Sequence, residues 1–126
     1  MNFEDEVSIR IQNNETNTSL LDAAKQFMWL SIASQYSYNF SWLGRPIIQY
    51  PQDIVAMQEL IWRIKPDLII ETGVAHGGSI IMSASLLALI DYSEAAKEGK
   101  CLDPGVGSRR VLGLDIEIRP HNRVAI

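Results

Sequence analysis

The chain has 126 residues, 47% of them hydrophobic and 21% charged, and a formal net charge of −4. That is one domain's length at most, with enough apolar material for a core, so disorder is excluded, and the acidic balance lacks the basic face that nucleic acid requires. The acidic start Met1-Asn2-Phe3-Glu4-Asp5-Glu6 is no secretory signal, no uninterrupted apolar run reaches the roughly 20 residues of a membrane span, and the lone Cys101 excludes an internal disulfide, so a cytoplasmic location is expected.

Val7, Ile9 and Ile11 alternate with Ser8 and Arg10, which predicts a short N-terminal strand. Ser19-Leu20-Leu21-Asp22 has capping-box spacing and predicts a helix starting at Ser19, with Leu20, Ala23, Ala24, Phe27, Met28 and Leu30 on its apolar face. In Tyr36-Ser37-Tyr38-Asn39-Phe40-Ser41-Trp42 every second residue is aromatic, which puts four rings on one side of an extended segment, packed on the core or walling a pocket. Gly44-Arg45-Pro46 predicts a turn. Arg45 is placed either to hold an acidic ligand or to pair with a local acid such as Asp53.

Residues 53–64 predict a helix with Ile54, Met57, Leu60, Ile61 and Ile64 on one face, stopped by Pro66 and Asp67. Leu68-Ile69-Ile70-Glu71 does not alternate, which predicts a fully buried strand. Residues 78–91 form the helix after the glycine turn that follows. Residues 92–110 read as an excursion, polar at first and then turn material around Asp103-Pro104-Gly105. Val111-Leu112-Gly113-Leu114-Asp115-Ile116 is the second strand of the fold, and Pro120 opens a new helix. The sequence stops at Ile126 inside that helix, with two parallel strands visible. The expectation is therefore an α/β chain that is the N-terminal part of a Rossmann-like fold, a parallel sheet with flanking helices truncated after its second strand. In it, residues 1–50 form a helical and extended cap and residues 51–126 the first half of a cofactor-binding domain.

Glu71-Thr72-Gly73-Val74-Ala75-His76-Gly77-Gly78-Ser79 carries the chemistry. Strand, glycine-rich turn and helix bring backbone close to a ligand and present free helix N–H groups to an anion. S-adenosylmethionine needs donors for its carboxylate, an acceptor for its amino group and a carboxylate for two ribose hydroxyls. The amides of Gly77, Gly78 and Ser79 with the Ser79 hydroxyl can supply the first, Glu71 the second and Asp115 the third. A dinucleotide fits less well, because Ala75 occupies the middle glycine position of its fingerprint and Asp115 lies 44 residues beyond Glu71. Residues 103–108 lack the Gly-Lys-Ser/Thr ending of a phosphate loop. His76 reads as a peripheral or exposed turn residue before it reads as a base, and His121 as a helix-start residue before it reads as a metal ligand.

Glu71-x-Gly73-x-x-x-Gly77-x-Ser79 resembles the first motif of catechol-type O-methyltransferases. Over residues 36–126 the chain is similar to the cephalosporin hydroxylase family, which includes the rhamnosyl O-methyltransferases. The similarity rests on Trp42-Leu43-Gly44-Arg45-Pro46-Ile47-Ile48-Gln49, Pro51-x-Asp53-Ile54, the string from Ile69 to Ser79, and Gly113-x-Asp115-Ile116-x-Ile118-Arg119-Pro120-His121-Asn122-Arg123. The resemblance implies the S-adenosylmethionine-dependent methyltransferase fold. Glu71, Gly73, Gly77, Gly78 and Ser79 would hold the methionine end and Asp115 the ribose, with Thr72 and Ala75 also in the cofactor site. A magnesium ion would be held by residues beyond Ile126. The expected activity is methyl transfer to a hydroxyl of a sugar, glycolipid or secondary metabolite, by the full-length parent and not by this fragment alone. A non-catalytic fragment that keeps the cofactor loop and an iron-dependent oxygenase are the alternatives. The expected partners are a small-molecule acceptor and, in the parent, another copy of the chain.

Overall fold

The computed structural model describes residues 2–123, which fall into two compact units, one ending at Tyr36 and the other beginning at Ser37. The first unit is helical. Helix α1 (Phe3–Glu15) starts from Asn2, whose side chain accepts from the Asp5 amide at 2.9 Å while the Asp5 carboxylate accepts from the Asn2 amide at 3.4 Å. With Glu4, Asp5 and Glu6 in the first turn facing the positive helix end, this reciprocal cap overrides the alternation of Val7, Ile9 and Ile11. The expected strand is thus a helix. Helix α2 (Thr18–Ala33) is capped by Asn17, whose Oδ1 accepts from the Leu20 amide at 3.1 Å, so the helix starts one residue before Ser19 and without the expected Ser19 box. Tyr36 meets Phe27 edge to face, with ring centroids 5.5 Å apart.

In the second unit the aromatic segment is not extended throughout. Tyr36–Tyr38 is a single 3-10 turn, and only β1 (Phe40–Trp42) is a strand, so period-two spacing aligns two rings and not four. Leu43 and Gly44, both at positive φ, make the turn into β2 (Arg45–Ile47), in the manner of primed hairpins. Arg45 and Pro46 therefore belong to a strand, antiparallel to β1, with Phe40 opposite Ile47 and Trp42 opposite Arg45.

Helix α3 (Pro51–Ile64) begins with its proline in the first turn and ends at Lys65 in the left-handed region. Its buried side is Ile61 with Ile54 and Met57 packed beside it, while Leu60 and Ile64 are exposed, so the apolar stripe is narrower than expected. Strands β3 (Leu68–Thr72) and β4 (Arg110–Leu114) pair in parallel, Leu68 against Arg110 through Thr72 against Leu114. Between them runs α4 (Gly78–Glu98). The expected excursion at residues 92–98 is the last part of this helix, built of good helix formers and ended by Gly99 at φ 63. Arg109 holds it to the start of β4 by pairing with Asp91 and, at 3.1 Å, with Glu94.

The core is Ile47, Ile61, Met82, Leu86, Leu87 and Ile90, with Ile69 and Val111 packed on it from the sheet. By length and composition alone α4 could cross a membrane, but here its Ile80, Met82, Leu86, Leu87 and Ile90 are buried against protein. Only one face of the sheet meets that core. Leu68 is 51% and Ile70 58% exposed, so β3 is not the fully buried strand its sequence suggests. Helix α5 (Pro120–Arg123) begins at the proline, as expected; the expectation that it reaches Ile126 falls outside the described residues.

Candidate functional site

The carboxyl end of β3 leads into the turn that the sequence marks. The Gly73 amide donates to the Leu114 carbonyl at 2.8 Å, which extends the parallel pairing by one residue. Gly73 and Gly77 stand at φ 84 and 79, a region that L side chains avoid, and the Gly77 amide closes the turn on the Val74 carbonyl at 2.7 Å. Gly77 then caps α4 without any side-chain bond. The first amides of the helix, those of Gly78, Ser79 and Ile80, have no acceptor within it and form a small positive field.

Glu71, half-buried at the end of β3, accepts a hydrogen bond from the Ser79 hydroxyl. Strand end and helix start are thereby linked, with the carboxylate beside the helix amides. Both side chains line a cleft of about 370 Å³ with Thr72, Gly73, Ala75 and Gly78. Residues 46–49, Met57 and Met82 form further walls of the cleft, and His76 also faces it. Gly77 is buried and does not line it.

Gly78 has a packing reason that the sequence does not show. A Cβ there would lie 2.2 Å from the Pro46 carbonyl oxygen and 2.8 Å from the Ile47 Cα. The missing side chain makes room for strand β2, and the same residue lines the cleft. At Gly73, by contrast, nothing lies within 4 Å of such a Cβ, and the backbone faces open space.

Asp115 lines a separate hollow with Thr72, Gly73, Leu114 and Ile116. Thr72 and Gly73 border both spaces. One Asp115 oxygen accepts from the amides of Val74 at 2.7 Å and Ala75 at 3.4 Å, and the other from the Glu117 amide at 3.1 Å. The Glu117 amide first, then that of Val74, hold its carboxyl below the ordinary 3.8, against a smaller opposing effect of burial. The carboxylate keeps lone pairs for further donors, so a loop-fastening role and a ligand-accepting role are compatible.

Arg45 makes no ion pair with Asp53, and its Nε and Nη2 are buried without a partner among the described residues. The His121 side chain lies outside what is described. No group of three or more His, Cys, Asp and Glu side chains gathers as a metal site among the described residues. The magnesium expectation concerned residues beyond Ile126.

One residue with a clear role here carried no role in the sequence reading. Asn122, 4% exposed, donates from Nδ2 to the Ala75 carbonyl at 2.7 Å. Its short amide just inside a helix start was the available signal, and the partner 47 residues away was not legible.

Residues 34–126 match the family model described as rhamnosyl O-methyltransferase/CmcI. The match takes in all four strands, the glycine turn, Asp115 and Asn122, and the chain belongs to this methyltransferase family. No curated protein and no solved structure gives a significant match.

Proposed function

We propose that this chain carries the S-adenosylmethionine-binding portion of an O-methyltransferase of Rossmann-like fold. The observation that supports it best is the joined pair Glu71 and Ser79, facing a cleft beside the unpaired amides at the start of α4. A zwitterionic amino acid group suits that arrangement. Its carboxylate takes the helix amides and its ammonium takes Glu71. Gly73, open to solvent, lets the chain of the ligand pass towards the hollow at Asp115, where a ribose diol finds an acceptor.

When bound, S-adenosylmethionine would supply an activated methyl group to an acceptor hydroxyl oxygen and would leave as S-adenosylhomocysteine, the hydroxyl proton passing to water. The contribution of these residues is to grip and orient the donor, so that the methyl points one way and water is kept from it. The acceptor class that the family name suggests is a sugar hydroxyl.

Replacement of Gly77 tests the reading. Valine at φ 79 is excluded sterically, so Gly77→Val should abolish S-adenosylhomocysteine binding by calorimetry while helical circular dichroism persists. Unchanged affinity in a folded variant would contradict it.

A further inference from the structure

Ala75 is the point in the cofactor turn where the backbone is least at ease. Its φ of 46 is left-handed, and unlike Gly73 and Gly77 it carries a Cβ that disfavours that region. Something outside the turn has to hold it there. Both of its peptide groups are bonded to side chains from beyond β4. Its N–H and that of Val74 donate to Asp115, and its carbonyl accepts from Asn122.

The segment that supplies these groups is itself fastened. The second Asp115 oxygen accepts from the Glu117 amide, Arg123 Nε donates to the Ile118 carbonyl at 3.1 Å, and the Asn122 amide donates to the Arg119 carbonyl at 2.9 Å. Asn122 lines neither the Glu71 cleft nor the Asp115 hollow. Its side chain meets the turn at the Ala75 carbonyl.

We propose that Asn122 is a positioning residue for cofactor binding, which locks Ala75 in its left-handed conformation by donating to the Ala75 carbonyl. The proposal rests on the S-adenosylmethionine reading above for its functional consequence, though not for the lock itself. Without Asn122 the Ala75 carbonyl loses its donor and the residue relaxes to negative φ. Val74 to Gly77 then no longer present the helix amides and Gly73 in one arrangement. An amide side chain suits the task because it donates without charge. An aspartate at that position would direct lone pairs at a carbonyl and lose the bond.

The test is a double-mutant cycle on the chain, with S-adenosylhomocysteine as the probe. It has two readouts, affinity by calorimetry and hydrogen exchange of the amides of residues 74–77 without ligand. Asn122→Ala should weaken affinity about tenfold and speed exchange at Val74 and Ala75, with Asn122→Asp no better. Ala75→Gly removes the Cβ that makes the lock necessary. In that background the Asn122→Ala effect should shrink to under about threefold. A purely structural role for Asn122 would give the same loss in both backgrounds, and that result would overturn the proposal. So would Asn122→Ala with unchanged exchange at residues 74–77. Should Asn122→Ala fail to fold, the Ala75→Gly/Asn122→Ala double variant decides. Recovery of fold and protected exchange supports the lock, and continued unfolding rejects it. Absence of binding by the unsubstituted chain would refute the cofactor reading, while the exchange readout would still decide the lock.

Discussion

Gly78→Ala adds one methyl group at the start of α4, where helix propensity alone favours alanine by up to about 1 kcal/mol. The structure predicts the opposite sign. The new Cβ would stand 2.2 Å from the Pro46 oxygen, 2.7 Å from its carbonyl carbon and 2.8 Å from the Ile47 Cα, all backbone atoms with no flexible end to swing aside. Reaching the 3.4 Å of ordinary contact requires β2 and α4 to part by about 1 Å. Ile47, buried in the core beside Met82 and Leu86, would move with the strand. Overpacking of this kind costs about 1–3 kcal/mol. For a unit of this size each kcal/mol lowers the melting temperature by roughly 4–8 °C. Gly78→Ala should therefore melt lower by about 4–24 °C without any ligand, as followed by circular dichroism and urea denaturation. An unchanged or raised midpoint would refute the packing explanation.

Three further outcomes follow from the same contacts. Ser79→Ala frees Glu71 from its hydroxyl donor and should weaken S-adenosylhomocysteine binding by about 1–2 kcal/mol with little change in melting, measured by calorimetry beside thermal unfolding. Because the Asp115 pKa is depressed in the folded chain, its contribution is complete above the ordinary 3.8 and is lost as pH falls through the lower folded value. Asp115→Asn should thus flatten the acid limb of the stability profile below about pH 4 relative to the parent chain, and an identical limb would contradict it. Arg109, its side chain 12% exposed, pairs with Asp91 and Glu94. Arg109→Ala should cost about 1–3 kcal/mol in urea denaturation, and a loss under about 0.5 kcal/mol would make the pairing incidental.

The strand–turn–helix unit was legible because its signals are local. An apolar run, a proline before it and two glycines that the turn needs at positive φ all lie between Pro66 and Ile80. The position of Asp115 at the end of the second strand was legible for the same reason. Local signals also misled. The alternation of Val7, Ile9 and Ile11 lost to the Asn2 cap, and the polar residues after Asp91 extend α4 on propensity and the Arg109 pairing. What could not be read were contacts between distant segments. A Cβ at Gly78 would meet Pro46, the Ala75 carbonyl accepts from Asn122, and the exposure of Leu68 and Ile70 depends on what covers the sheet. Periodicity describes how one element is arranged and carries no information on which backbone it will meet.

Calorimetric titration of the chain with S-adenosylhomocysteine, beside the same titration of Gly77→Val, bears most directly on the central claim. One-to-one binding by the chain and none by the folded variant is the predicted result. No binding by a folded chain, or equal binding by both, would contradict a cofactor site built on Glu71, Ser79 and the amides that begin α4.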